Sequence, residues 1–164
     1  MYYNVEVLNH RICSFVIILL GFLMKAKQIL TGHSGPVWNC KFSSNGNYCL
    51  TGGHDKTIRL WNPHKGSQVQ IYKGHSYEVL DIAITTTNTN FASCGKERVV
   101  LLWDAETGKT TKRFHGHTLS VNAVAFNQSS NVLASGSEDK KVHLWDLLYV
   151  LHLISSRLFL CFEK

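Results

Sequence analysis

The sequence predicts an all-β fold made of three like sheets, and three observations predict it. The dipeptide Gly-His occurs at Gly32-His33, Gly74-His75 and Gly116-His117. A Trp followed by Asn or Asp occurs at Trp61-Asn62, Trp103-Asp104 and Trp145-Asp146. Both landmarks step by 42 residues and each His precedes its Trp by 28, so three copies share one register without a gap. A self-similar period of about 40–45 residues between such landmarks marks one blade of a propeller. A blade is four short antiparallel strands whose faces are covered by its neighbours. The expectation is a partial β-propeller of three four-stranded blades, with apolar non-repeat segments at both ends.

The chain divides into residues 1–31, 32–146 and 147–164, with copies at 32–73, 74–115 and 116–146. Residues 12–24 are an apolar run of thirteen between Arg11 and Lys25. A bilayer span takes about 20 residues, so no membrane span is expected. The length suits the core of a signal peptide, yet Lys25-Ala26-Lys27 follows where a small-x-small cleavage site would stand. The other reading is a short helix or strand without a targeting role. Residues 27–31 align with residues 70–73 and 111–115 and are expected to form an outer strand ahead of the first Gly-His.

After each Gly-His, apolar residues fall at Val37, Cys40 and Phe42, at Val79, Ile82 and Ile84, and at Val121, Val124 and Phe126. A step of three and then two breaks strict alternation, as one β-bulge does. Ser44-Asn45-Gly46 supplies the next turn in the first copy, and residues 48–51 a second strand. The third strand alternates without a break: Ile58 and Leu60, Val100 and Leu102, Val142 and Leu144, each ending on its Trp. Turns at Asn62-Pro63-His64-Lys65-Gly66 and Asp104-Ala105-Glu106-Thr107-Gly108 lead to a fourth strand. In the third copy the matching turn glycine would stand at position 150, which is Val150. Residues 147–162 are almost wholly apolar, broken by His152, Ser155-Ser156 and Arg157. Sixteen residues with an interior Arg make a poor membrane span. The pattern stops directly after Trp145-Asp146, which reads as a truncated or mis-joined frame with this tail in place of four further repeats.

Four polar positions align within the copies: His33, Thr51, Asp55 and Trp61; His75, Ser93, Glu97 and Trp103; His117, Ser135, Asp139 and Trp145. At these residues the chain resembles the WD-repeat family, whose blades carry a Trp–Ser/Thr–His–Asp hydrogen-bonded set. An indole N–H, a hydroxyl that donates and accepts, an imidazole and a carboxylate satisfy one another in a buried chain. A Ser–His–Asp trio also suits a hydrolase. A catalytic triad, however, is needed once and a structural brace in every blade. Glu97 is one methylene longer than Asp, which would leave its network strained or open to water. Asn62 in place of Asp is a milder change outside the four positions.

Within that family the residues of the first two copies are the most specific. Asn45-Gly46-Asn47-Tyr48-Cys49-Leu50-Thr51, Asp55-Lys56-Thr57 and Leu60-Trp61-Asn62-Pro63 look like the mitogen-activated protein kinase organisers, a group of WD-repeat scaffolds. Tyr72, Gly74-His75 and Tyr77-Glu78-Val79-Leu80-Asp81 match them too. The resemblance implies a non-catalytic protein–protein scaffold holding kinase-cascade components together. Members also accompany the splicing machinery, so the alternative it implies is a WD-repeat component of a ribonucleoprotein assembly, with splicing factors as partners. Either role suits the cytoplasm, or the nucleus.

Net charge is +6 with pI near 9.1. Residues 32–146 hold 12 Lys and Arg against 9 Asp and Glu, a net of only +3 with the signs interspersed. No basic stripe results, and no direct nucleic-acid contact is expected. The five cysteines have no C-x-x-C spacing. Cys40 and Cys49 stand where the other copies carry Ile82/Val124 and Phe91/Leu133, so they read as small core hydrophobes, and reduced thiols suit the cytosol or nucleus. The repeats hold no nucleophile elbow, phosphate loop or metal cluster, so neither an enzyme nor a cofactor is expected.

In a propeller the loop entering the first strand and the tight turn before the third open on one face. The positions there vary between copies: Trp38, Leu80 and Asn122; Pro36, Glu78 and Ser120; His54, Lys96 and Glu138. A Trp where the other copies hold Leu and Asn, beside mixed charges, has the composition of a partner hot spot. These nine residues are the expected partner-binding set. The other reading is that Trp38 covers the end of the core while the charges solvate a rim. Three blades also leave open strand edges at both ends. Segments 12–24 and 147–162 would partly cover them, and self-association through those edges is expected.

Overall fold

The computed structural model describes residues 28–148. The apolar run 12–24 and residues 149–162 of the tail lie outside the described residues. The first sheet contains β1 (Val37–Phe42), β2 (Cys49–Gly53), β3 (Thr57–Asn62) and β4 (Ser67–Lys73), in that spatial order. The second repeats it with β5 (Val79–Ile84), β6 (Asn90–Gly95), β7 (Val99–Asp104) and β8 (Thr110–His115). The third holds β9 (Val121–Phe126), β10 (Val132–Ser137) and β11 (Val142–Asp146), so it is three-stranded among the described residues. All pairs are antiparallel, and the protein is a partial propeller of three blades. The expected outer strand over residues 27–31 is reduced to a single bridge at Gln28, with Lys27 outside the described residues. By its alignment with β4 and β8 this segment would be the outer strand of a sheet ahead of the first, and no such sheet stands among the described residues to pair with it.

Each first strand contains the bulge that the three-then-two spacing calls for. Val37 pairs with Gly53 and Asn39 with Gly52, which leaves Trp38 unpaired. Leu80 is passed over in the same way between Val79 and Asp81, and Asn122 between Val121 and Ala123. A bulged residue turns out of the pleat, so these three side chains leave the alternation that buries their neighbours. The β3–β4 and β7–β8 turns close on Gly66 and Gly108 at φ 67° and 72°, a left-handed conformation that glycine adopts without strain.

The core sits between the blades. Leu50, Ile58 and Tyr72 of the first sheet meet Val79, Ile82, Phe91, Leu101 and Trp103 of the second. The other face of the second sheet presents Ala92, Cys94, Val100 and Leu102 to Val121, Val124 and Leu133 of the third. Fully burying an aliphatic or aromatic side chain is worth about 1.5–3 kcal/mol. The middle sheet, covered on both faces, is therefore the most strongly held. Polar ties run alongside: Tyr72 donates its hydroxyl to the carbonyl of Ala105 at 2.8 Å, and Asn88 donates to Ser44 Oγ at 2.6 Å. Burial, with the Asp104 charge beside it, pushes the Tyr72 phenol up to about 12. Cys40, Cys49 and Cys94 are free thiols, the last two buried, and burial raises the Cys94 thiol. No helix of the described residues is long and apolar enough to cross a membrane.

Candidate functional site

One hydrogen-bonded chain recurs in every blade. Trp61 Nε1–H donates to Thr51 Oγ1 at 2.8 Å, and that hydroxyl lies 2.7 Å from His33 Nε2. His33 Nδ1 lies 2.9 Å from Asp55 Oδ2. The second blade repeats it: Trp103 Nε1–H to Ser93 Oγ at 2.7 Å, Ser93 Oγ to His75 Nε2 at 2.6 Å, and His75 Nδ1 to Glu97 Oε1. In the third, Trp145 donates to Ser135 Oγ, Ser135 Oγ meets His117 Nε2, and His117 Nδ1 meets Asp139 Oδ2, each at 2.8 Å. One assignment satisfies every atom: the hydroxyl accepts from the indole and donates to Nε2, while Nδ1–H donates to the carboxylate. Glu97 makes this contact despite its extra methylene.

Burial is the largest influence on His33 and lowers its pKa below the ordinary 6.5, outweighing the pull of Asp55; a neutral ring results. Burial would raise the Asp55 carboxyl. The Thr57 hydroxyl, His33 and the N–H groups of Ser34 and Thr57 overcome that and hold it at about 2. Asp139 is likewise lowered, burial being outweighed by His117 and the N–H groups of Thr118 and Lys141. The hydroxyls of Thr51, Ser93 and Ser135 are buried and each receives an indole N–H, so no substrate carbonyl reaches them.

This chain also fixes the face above it. Each carboxylate accepts the backbone N–H after its own His, from Ser34, Ser76 and Thr118. The loop entering each first strand is thereby tied to the turn before the third. A backbone bond closes the pair: His54 N–H to Pro36 O at 2.8 Å, Lys96 to Glu78 at 3.1 Å, and Glu138 to Ser120 at 3.0 Å. The two loops of every blade open on one face. Glu78 accepts from His54 at 2.8 Å and from Lys96 at 3.1 Å, joining the first two blades. Slight burial opposes ionisation of Glu78, and Lys96 with His54 holds its carboxyl below the usual range.

The bulged residues stand beside these loops. Asp81 accepts from Asn39 Nδ2 at 2.6 Å and from the Val124 N–H at 3.0 Å, which sets β1, β5 and β9 side by side. Trp38 is half exposed, Leu80 half-buried and Asn122 exposed. Sequence reasoning missed Tyr77 and Leu119, large exposed apolar residues in the same loops. Lys56 Nζ sits 5.9 Å above the Tyr77 ring. Their signal was an apolar residue in a polar loop, at the place Gly35 holds in the first copy. Also unforeseen is a groove of about 470 Å³ on the opposite face, floored by Leu50, Leu60, Tyr72, Ile84 and Phe91, with Tyr48 and Glu106 on its walls.

The family model described as WD domain, G-beta repeat matches three times, over residues 24–62, 66–104 and 108–146. The chain belongs to that family. WD repeat domain-containing protein 83 of Xenopus tropicalis is 49% identical over 43 residues, which is 26% of this chain and 14% of that protein. Small ribosomal subunit protein RACK1 of Schizosaccharomyces pombe is 49% identical over 41 residues, 25% of this chain and 13% of that protein. Among solved structures, U3-55K superposes with a TM-score of 0.70 at 25% identity, covering 72% of this chain and 38% of that chain. The matched stretches thus span about one seventh of these curated relatives.

Proposed function

We propose that this WD-repeat chain is a non-catalytic protein-interaction scaffold whose partners, components of a mitogen-activated protein kinase cascade, dock on the face carrying Trp38. The observation behind this reading is the half-exposed Trp38 on a bulge, beside the His54–Glu78–Lys96 cluster. Large aromatic side chains next to charges are what alanine scans find at binding hot spots. Pro36, Leu80, Ser120, Asn122 and Glu138 complete the docking set, and Tyr77 and Leu119 extend it. The likeness to WD repeat domain-containing protein 83, and the residue strings shared with the kinase organisers, support the choice of partner. The compartment that goes with this reading is the cytoplasm, with the nucleus as the alternative.

A ribonucleoprotein assembly is the second reading, supported by the likeness to U3-55K and to a protein named for the small ribosomal subunit. Calorimetric titration of the chain with a purified mitogen-activated protein kinase and its upstream kinase separates the two. Trp38→Ala and Lys96→Glu should each weaken binding at least tenfold, about 1.4 kcal/mol. Lys65→Glu, in the β3–β4 turn at the opposite end of the blade, should leave it unchanged. Binding that survives both top-face changes but fails with Lys65→Glu would move the site. Salt-dependent affinity for RNA with none for the kinases would favour the second reading.

A further inference from the structure

The turns on the face opposite Trp38 enclose the groove of about 470 Å³ between the first two sheets. Ligand sites of about 300–1,000 Å³ are mostly apolar, with a few placed polar groups. Both sheets that form this one lie wholly within the described residues. Its floor is apolar: Leu50, Leu60, Tyr72, Ile84 and Phe91. Its walls come from three turns, with Asn45 and Tyr48 at β1–β2, Thr87 and Asn88 at β5–β6, and Glu106 at β7–β8. Those turns are held from within. Ser43 Oγ donates to Asn45 Oδ1 at 2.8 Å and accepts the Tyr48 N–H at 3.0 Å. Asn88 accepts the Ser44 N–H at 2.9 Å, which ties the first turn to the second. The Glu106 N–H donates to Asp104 Oδ1 at 3.0 Å, and the Ala105 N–H beside it to Thr89 O at 2.9 Å. A site built in advance loses less order when a ligand arrives.

Three polar groups on these walls are left over. Asn45 Oδ1 is spent within its own turn, while its Nδ2 has no partner among the described residues. The Tyr48 hydroxyl has none there either, and that residue is 39% exposed. Glu106 is the one charged residue of the lining, and none of the ion pairs among the described residues uses it. The next interface shows that this charge is not a feature of the repeat. Between the second and third sheets, Leu148 stands at the place of Glu106 and Asn90 at that of Tyr48. The larger Phe126 and Leu147 stand there for Ile84 and Ala105, and both pack onto the core.

We propose that this groove binds a short extended segment of a partner protein in which a bulky apolar side chain lies close to an Arg or Lys. The apolar side chain covers the floor, and the cation pairs with Glu106. Asn45 Nδ2 and the Tyr48 hydroxyl donate to main-chain carbonyls of the segment. A lone carboxylate in an otherwise uncharged lining attracts a cation and repels an anion, and an Arg meets it with two parallel hydrogen bonds. Apolar floor, single anion and spare donors, set on separate walls, match the side chains and main chain of a peptide taken together. This inference is independent of the kinase-scaffold reading, since it uses the other face and shares no residue with the docking set there.

The test is fluorescence anisotropy of the full chain with labelled octapeptides, thermal melts being the folding control. The peptides set one Leu, Phe or Trp at each spacing from one Arg in a Ser/Gly background, and each is paired with a version carrying Asp for Arg. Wild type should bind the best Arg peptide at least tenfold more tightly than its Asp counterpart. Glu106→Lys should reverse that order. Ile84→Phe/Ala105→Leu, which brings the third repeat's larger residues into the groove, should lose at least tenfold toward both kinds of peptide. Should that pair fail to fold, Glu106→Lys decides, because it lies in an exposed turn. Binding of none of the peptides would overturn the proposal, and so would equal affinity for Arg and Asp peptides in wild type. An order unchanged in Glu106→Lys, or a filled groove that binds as wild type does, would overturn it equally.

Discussion

Replacing Ser93 with Ala tests whether the recurrent hydroxyl is a brace. Its oxygen accepts the Trp103 N–H at 2.7 Å and lies 2.6 Å from His75 Nε2. Trp103 is 1% exposed and Ser93 not at all, so water cannot stand in for the lost hydroxyl. A buried polar group left without its partner costs about 1–3 kcal/mol. Two groups are orphaned here, and some local adjustment is expected, so the loss should be about 2–4 kcal/mol. Ser135→Ala is the internal control. Its indole partner, Trp145, is only half-buried, so its N–H is left less completely stranded and the loss should be smaller, about 1 kcal/mol. Urea melts at fixed slope read the difference, and for a chain of this size each kcal/mol moves Tm by about 2–4 °C. A Ser93→Ala chain as stable as wild type, or no less stable than Ser135→Ala, would refute the brace.

Acid should destabilise the fold in two stages. The folded His33 pKa lies below its free value of 6.5, so the unfolded chain binds the extra proton and stability falls as pH drops below that value. The folded Asp55 pKa of about 2 lies below its free 3.8, so its contribution is complete above about pH 4 and is lost between there and about pH 2. Denaturant melts from pH 8 to pH 2 should show both stages in wild type and no lower stage from this site in Asp55→Asn; an unchanged profile in that variant would sink the assignment. Tyr72→Phe removes the hydroxyl that reaches the Ala105 carbonyl between the first two blades and leaves the ring packed on Phe91, so it should cost about 1 kcal/mol in the same melts. A cost several times larger would mean that the bond does more than join the two blades.

The sequence was most legible where repetition did the reading. Three copies in one register exposed the strands, the bulges and the four polar positions together, because each must serve the same packing need in every blade. The exposed back of the third sheet was harder to place. Val142 and Val100 are the same residue type at the same position, yet Val100 is buried under the next sheet and Val142 is exposed, with no sheet following it among the described residues. Tyr77 and Leu119 escaped notice because Gly35 holds their place in the first copy, where a side chain would crowd His54 at 3.2 Å. The groove under Tyr48 and Glu106 is formed by residues from two repeats whose separation in sequence gives no periodic signal.

The brace and the loop face are less separate than their burial implies. The carboxylates that end the buried chains also hold the N–H groups of Ser34, Ser76 and Thr118, each in the loop that leads to a bulged residue. A residue that fixes a loop adds affinity by removing disorder before binding rather than by touching the partner. Buried positions can therefore be kept the same in every blade while Trp38, Leu80 and Asn122 differ freely beside them. The constant set holds three equivalent platforms, and the variable set makes them unequal. That division gives a repeated fold a single, non-repeating surface, which is what the proposed docking of a partner needs.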